Sequence, residues 1–369
     1  MTRTFTKVPD DANVAASYNI LSNGVPFRIP SSKASADTMM FASISVRASM
    51  TDALRLYQAI LNSLNLLVPA KTVGNKDETR NTEKMRGVGT LPELKRNNTN
   101  PGSHRRSDSV TLPIKQPLQL FLPYITRDTD SIYEQTTALG WNRTQLPGKL
   151  QFGWNSSNIS SIPLFGKGFP EKLAFWHGGN LPGTTVAVIL FPETRTAVVV
   201  MQNSLGVCDA ADLISQLLSD CLFIGGPQHD YVSLAEEATR NGLARMERVA
   251  EQLQKEREPG TKHRPLDEYV GQYENSIKNW MIEIGLDGSG RLFLRFQGRV
   301  DEQYSQRYHH YDAFVWNLSY DETVERAQYC RPHEFYRFHF EARDGRIYQL
   351  RWHHDPNILE GEEFVRQEK

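Results

Sequence analysis

The stretch that decides the fold is residues 173–204, LAFWHGGNLPGTTVAVILFPETRTAVVVMQNS. Two runs within it, 184–191 and 196–201, are dense in Val, Ile and other apolar residues, and Pro192, Glu193 and Thr194 part them as a hairpin turn would. Runs that are apolar at nearly every position suit strands covered on both faces, so the spacing predicts the centre of a sheet rather than its wet edge. A shorter run, 173–176, leads into His177-Gly178-Gly179, where the missing side chains permit the backbone to approach a bound molecule closely.

Downstream, Asp209 is placed to cap a helix carrying Leu213, Ile214, Leu217, Leu218, Cys221 and Leu222 on one stripe, stopped by Gly225-Gly226-Pro227. A second, strongly charged helix over about 232–256 offers Leu234, Ala238, Leu243, Met246, Val249 and Leu253 for burial and reads as a bridge between domains. From Leu266 the period changes to two, with turn signals at Asp287-Gly288-Ser289-Gly290 and Asp344-Gly345, which predicts an antiparallel β-sandwich or small barrel. Its six histidines include the neighbours His309-His310 and His353-His354. Neighbours on a regular strand point to opposite faces, so neither pair is expected to hold one ion, and no metal site is assigned.

Upstream, Ser49 and Asp52 have the spacing of a capping box ahead of a helix with Ala53, Leu56, Tyr57, Ile60, Leu61 and Leu64 on one face and Thr51, Arg55 and Gln58 on the other. Ser17-Tyr18-Asn19 reads, by the family resemblance given below, as a surface strand leading to an Asn23-Gly24 turn. Residues 71–108 hold almost no bulky apolar side chains and are expected to form a disordered insertion. The basic cluster His104-Arg105-Arg106 inside it has acidic residues nearby and no interleaved aromatics, so it does not read as a nucleic-acid site. Gly166-Lys167-Gly168 is too short for a phosphate loop and reads as a turn.

With 42 Lys plus Arg against 43 Asp plus Glu, the net charge of −1 gives no electrostatic ground for a nucleic acid or an anionic membrane as partner. The apolar runs are strand-sized, and residues 1–7 lack a hydrophobic leader core, so the cytoplasm is the default expectation. Cys208, Cys221 and Cys330 read as buried thiols rather than a disulfide framework. Five N-x-Ser/Thr sequons begin at Asn97, Asn142, Asn155, Asn158 and Asn317 and are expected to be idle.

In order, His177-Gly178-Gly179, Pro182-Gly183, Pro192-Glu193 and Gln202-Asn203 resemble the last block of the serine β-lactamase and penicillin-binding-protein superfamily, in its class-C-like, fungal esterase-related branch. Leu139-Gly140-Trp141 and Gly153-Trp154 stand where that family carries its Gly-Trp elements, and the string 266–275, LDEYVGQYEN, resembles the lipocalin-like tail of many such esterases. The resemblance implies an α+β chain. Residues 1–227 would be the C-terminal half of a β-lactamase/transpeptidase-like domain, an antiparallel sheet with packed helices, with 228–262 a helical linker and 263–369 an all-β lipocalin-like barrel or sandwich. His177 would stand for the cation of the family's third motif, facing substrate, and Gly178, Gly179 and Asn180 would line the substrate and oxyanion pocket, the Asn180 N–H as a donor.

The nucleophile is missing. That chemistry needs a Ser with a Lys one helical turn later and a Tyr-x-Asn relay, and no Lys here has a Ser three places before it; the nearest string is Thr4 to Lys7. The expectation is a β-lactamase-like protein without Ser-x-x-Lys, and without a Tyr-x-Asn ahead of His177 (the string Tyr273-Glu274-Asn275 falls in the tail), accessory to fungal secondary-metabolite biosynthesis. It would need no cofactor and would take a small ester, lactone or lactam. The alternatives are an active serine-type acyl hydrolase or acyltransferase and a small-molecule-binding module. Without neighbouring strands, 196–201 would present an apolar edge, so a homo-oligomer or pairing through that edge is expected.

Overall fold

In a computed structural model of the chain, residues 3–6, 13–32, 34, 38–67, 114–127, 131–150 and 153–368 are described. The insertion expected over 71–108, and Lys7, lie outside them. The deciding stretch forms three strands of a six-stranded antiparallel sheet that runs in chain order: Ile125–Thr126 (β1), Gln135–Thr137 (β2), Asn142–Gln145 (β3), Leu173–Leu181 (β4), Thr184–Phe191 (β5) and Thr196–Gln202 (β6). Alternate residues face opposite ways. Phe175, Val188 and Leu190 pack with one hydrophobic cluster, and Trp176, Ala187 and Ile189 with another.

Two expectations are corrected here. His177-Gly178-Gly179 does not follow a short strand; it lies within nine-residue β4, each residue paired to β5. And β6 ends the sheet, with no strand on its outer side among the described residues: this is the edge that the resemblance implied for 196–201, not the central place that its apolar run suggested. Apolar residues at successive positions report two covered faces, and helices on both sides of β6 supply that cover; they do not report covered edges.

The helix Met50–Leu67 (α1) covers one face through Ile60, Leu61 and Leu64. The Ser49 hydroxyl accepts the Asp52 N–H at 3.2 Å, while the Asp52 carboxylate accepts from the Arg3 N–H at 2.7 Å and the Thr4 hydroxyl at 3.0 Å. Leu56, expected inside, is exposed. On the other face lies Ala210–Ile224 (α2), capped by the Asp209 carboxylate and ended by Gly225 at φ 87°. Leu213 is buried as expected, but most of the helix is turned the other way. Asp212, Ser215, Gln216, Ser219 and Asp220 are buried, while Ile214, Leu218, Cys221 and Leu222 are exposed. The polar side is satisfied from the body of the domain: Asn155 and Gln216 donate to Asp212, and Tyr231 donates to Asp220 at 2.7 Å.

The bridging helix, Tyr231–Lys255 (α3), buries Ala238 near the first domain and Met246, Val249 and Leu253 in the core of the second. At Gly242 it passes so close that a Cβ would lie 2.4 Å from Val207. The second domain is one antiparallel sheet of nine strands: Gly271–Asn275 (β7), Met281–Leu286 (β8), Leu292–Phe296 (β9), Gln303–Ser305 (β10), Arg307–His310 (β11), Ala313–Val315 (β12), Arg337–Arg343 (β13), Arg346–Trp352 (β14) and Glu362–Arg366 (β15). Their order is β10-β9-β8-β7-β15-β14-β13-β12-β11. Its two end strands are successive in the chain with only Gln306 between them, so the sheet curls into a nearly closed barrel. Trp316, Trp352, Tyr269, Tyr273, Tyr304 and Phe338 fill the interior.

The strand Ser17–Ile20 pairs with Pro26–Ile29 about the Asn23-Gly24 turn and joins the domains. It was expected at the surface. Instead Asn19 is buried, donating to the Val324 carbonyl of the second domain at 2.9 Å and accepting the Gly183 N–H at 2.8 Å.

Candidate functional site

Strand β4 is paired on both sides only as far as Trp176. Its partner β3 begins at Asn142, opposite Trp176, so 177–181 keeps one open edge. The backbone groups that face this edge follow from the hairpin. Leu181 and Thr184 flank a two-residue turn and so form a hydrogen-bonded pair, which makes Gly179 and His177 the next residues bonded to β5. Gly178 and Asn180 therefore turn their N–H and C=O outward. The Asn180 carbonyl confirms the parity: it accepts a 2.8 Å hydrogen bond from the Tyr329 hydroxyl of the barrel domain. Among the described residues, no other backbone partner meets these two residues across the edge.

His177 projects to the α1 side of the sheet, next to Gly179, where an added Cβ would meet no atom within 4 Å. Its imidazole is exposed and forms no hydrogen bond or ion pair among the described residues. Protein packed around it costs it solvation and holds its pKa below the ordinary value, so it is neutral at pH 7. Asn180 projects to the opposite face, beside the Asp209 carboxylate. Thus His177, Gly178, Gly179 and Asn180 share one strand segment, but the His and Asn side chains lie on different sides of the sheet.

Beneath Asn180 is a buried acidic network that sequence reading missed. The Asn155 amide donates to the Asp209 carbonyl and the Asp212 carboxylate at 2.8 Å each and accepts the Asp209 N–H at 2.9 Å. Burial without a cation raises the pKa of Asp209, and pushes Asp212 up to about 7 against the hydrogen bonds from Asn155 and Gln216. The sole sequence signal was the capping role of Asp209. Asn155 and Asn158, read as sequon starts, are buried side chains holding this scaffold.

The remaining candidates separate. Thr4 is tied to Asp52, and its would-be partner Lys7 lies outside the described residues. Gly166 and Gly168 both have φ of 80° in a turn. His309 and His310 meet, contrary to the expectation for neighbours on a regular strand. The β11–β12 register shifts between Tyr308 and His310, and this bulge brings the two Nδ1 atoms into contact. His309 Nε2 donates to the Leu253 carbonyl, so the pair serves the junction of α3 and the barrel. Among the described residues, no group of three or more His, Cys, Asp or Glu could hold a metal ion, and no helix is long and apolar enough to cross a membrane. A cleft of about 40 Å³, room for a water or two, lies at the domain junction between Asn19, Trp154, Gly242, Arg245 and Tyr329.

Residues 255–366 match a family described as "Domain of unknown function (DUF3471)". No curated protein matches the chain. Among solved structures it is similar to the octameric penicillin-binding protein homologue from Pyrococcus abyssi, at 14% identity and a TM-score of 0.34, over 99% of this chain and 57% of that one. A SurE crystal structure is similar at 13% identity and a TM-score of 0.30, over 98% of this chain and 58% of that one. The chain thus spans less than two thirds of the length of either neighbour.

Proposed function

We propose that this chain is a β-lactamase-like protein without hydrolytic machinery, which binds a small ester, lactone or lactam along the open edge of β4 and acts as an accessory member of a fungal secondary-metabolite pathway. The pathway and the lipocalin-like character of the tail rest on the sequence resemblance. The binding role rests on one observation: the outward backbone groups of Gly178 and Asn180 beside a neutral His177 that has no partner among the described residues. Such N–H groups receive a carbonyl oxygen, and the neutral imidazole accepts from, or donates to, a neighbouring hydroxyl or amide. With no Ser-x-x-Lys pair in the sequence, a bound acyl group meets no activated hydroxyl.

The same imidazole favours a second reading, an active serine-type acyl hydrolase or acyltransferase. Purified chain assayed on p-nitrophenyl esters and treated with a fluorophosphonate separates the two. The binding reading expects no turnover, no labelled Ser, and ester or lactam binding that His177→Ala weakens by about tenfold. Turnover abolished by His177→Ala, or stoichiometric labelling of one Ser, overturns it. A third reading, ligand held inside the tail barrel, is disfavoured by the aromatic side chains that fill that interior.

A further inference from the structure

We infer that a second copy of this chain pairs with β6 across a two-fold axis, with α2 packed against its symmetry mate. Three features of the outer end of the sheet lead there. The first is the edge itself. Thr196–Gln202 carries no charge and no Pro, the usual guards of an exposed strand. Since Thr184, Val186, Val188 and Leu190 bond to β4, alternate residues of β5 bond to β6 through Thr196, Val198, Val200 and Gln202. Ala197, Val199 and Met201 therefore turn their N–H and C=O outward.

The second feature is self-complementarity. Antiparallel pairing about Val199 sets Val199 against itself and Ala197 against Met201 of the second copy, and every outward donor meets an acceptor. No like charges face each other, as they would on an edge built to repel a copy.

The third is α2, which lies over both β6 and β5. Its sheet side is small, with Ala211, Ser215 and Ser219, and its body flank carries Asp212, Gln216 and Asp220 with their partners. The opposite flank, at helical spacing, is Ile214, Leu218 and Leu222, 37%, 47% and 58% exposed, overhanging the free edge. A two-fold perpendicular to the sheet brings the two α2 helices to the same face. With α2 midway between β6 and β5, their axes fall about 10 Å apart, two strand spacings, where helices pack. A foreign strand would fill the edge but would leave this stripe bare. A second copy covers both.

The experiment is the mass of the full chain by light scattering at about 100 μM, above the dissociation constant of a weak specific pair. The expected result is a monodisperse particle of twice 42.1 kDa. Leu218→Glu changes only an exposed side chain, and Ala197→Pro removes only an outward N–H, which an edge strand tolerates. Each should weaken the dimer by at least ~100-fold with unchanged circular dichroism. A monomer at this concentration, a dimer that both variants leave intact, or growth into an open series each overturns the inference.

Discussion

The two sheets of this molecule solve the same problem in opposite ways. The barrel hides both of its ends: β10 and β11 are consecutive, Gln306 between them bonds through its N–H to the Leu292 carbonyl, and the interior is filled with aromatic rings. Among the described residues, the six-stranded sheet leaves open the β6 edge as far as Asn203, whose carbonyl accepts the Tyr18 N–H, and the edge of β4 past Trp176, and α2 beside it turns apolar side chains to solvent. Backbone groups without partners are costly inside a fold and useful at a site. The barrel is built for stability; the open sheet is where a ligand or another chain can add hydrogen bonds. Tyr329 connects the two, since the barrel domain occupies one of the outward acceptors of β4.

That contrast can be broken in graded steps. The largest effect belongs to the barrel interior. Trp352 is 1% exposed, stacks on Phe296 at 5.2 Å and donates to the Phe335 carbonyl, so Trp352→Ala should cost about 3–5 kcal/mol in denaturant unfolding. A loss below 1 kcal/mol would mean that the barrel does not carry its own stability.

An intermediate effect comes from the acid beneath the open sheet. Burial raises the folded pKa of Asp212 to about 7, so its contribution is fully present below the unfolded value near pH 4 and is lost as the pH rises through about 7. The stability of wild type relative to Asp212→Asn should therefore fall by about 2 kcal/mol between pH 5 and pH 8. A flat difference between the two proteins across this range would show that the carboxyl is ionised in the fold.

The smallest effect is at His177. Exposed and without a partner among the described residues, it should be replaceable by Ala within about 0.5 kcal/mol of stability, even though ligand binding falls. A larger stability loss would make it a scaffold residue and return the open edge to structure.

Much of this was legible in the sequence. Val, Ile and Leu at successive positions with Pro192 and Gly183 as punctuation marked the hairpins of β4, β5 and β6, and Asp209 with Gly225 set both ends of α2. Local backbone preference acts over a few residues and survives any tertiary context. Residues 177–180 were singled out through the resemblance, but their place inside β4 was not legible, because two glycines in succession carry no strand preference.

The sequence by itself determined the elements, the change of period at the start of the barrel and the absence of a Ser-x-x-Lys pair, because each is a matter of neighbours along the chain. Only the tertiary structure decided which side of α2 is inside. Ile214, Leu218 and Leu222 looked like part of the buried face until Asn155 and Tyr231, from other segments, supplied partners that make burial of Asp212 and Asp220 tolerable. The contact of His309 with His310 likewise depended on a bulge set by the pairing of β11 with β12. Whether a polar group can be buried depends on what reaches it through space, and no spacing along the chain encodes that.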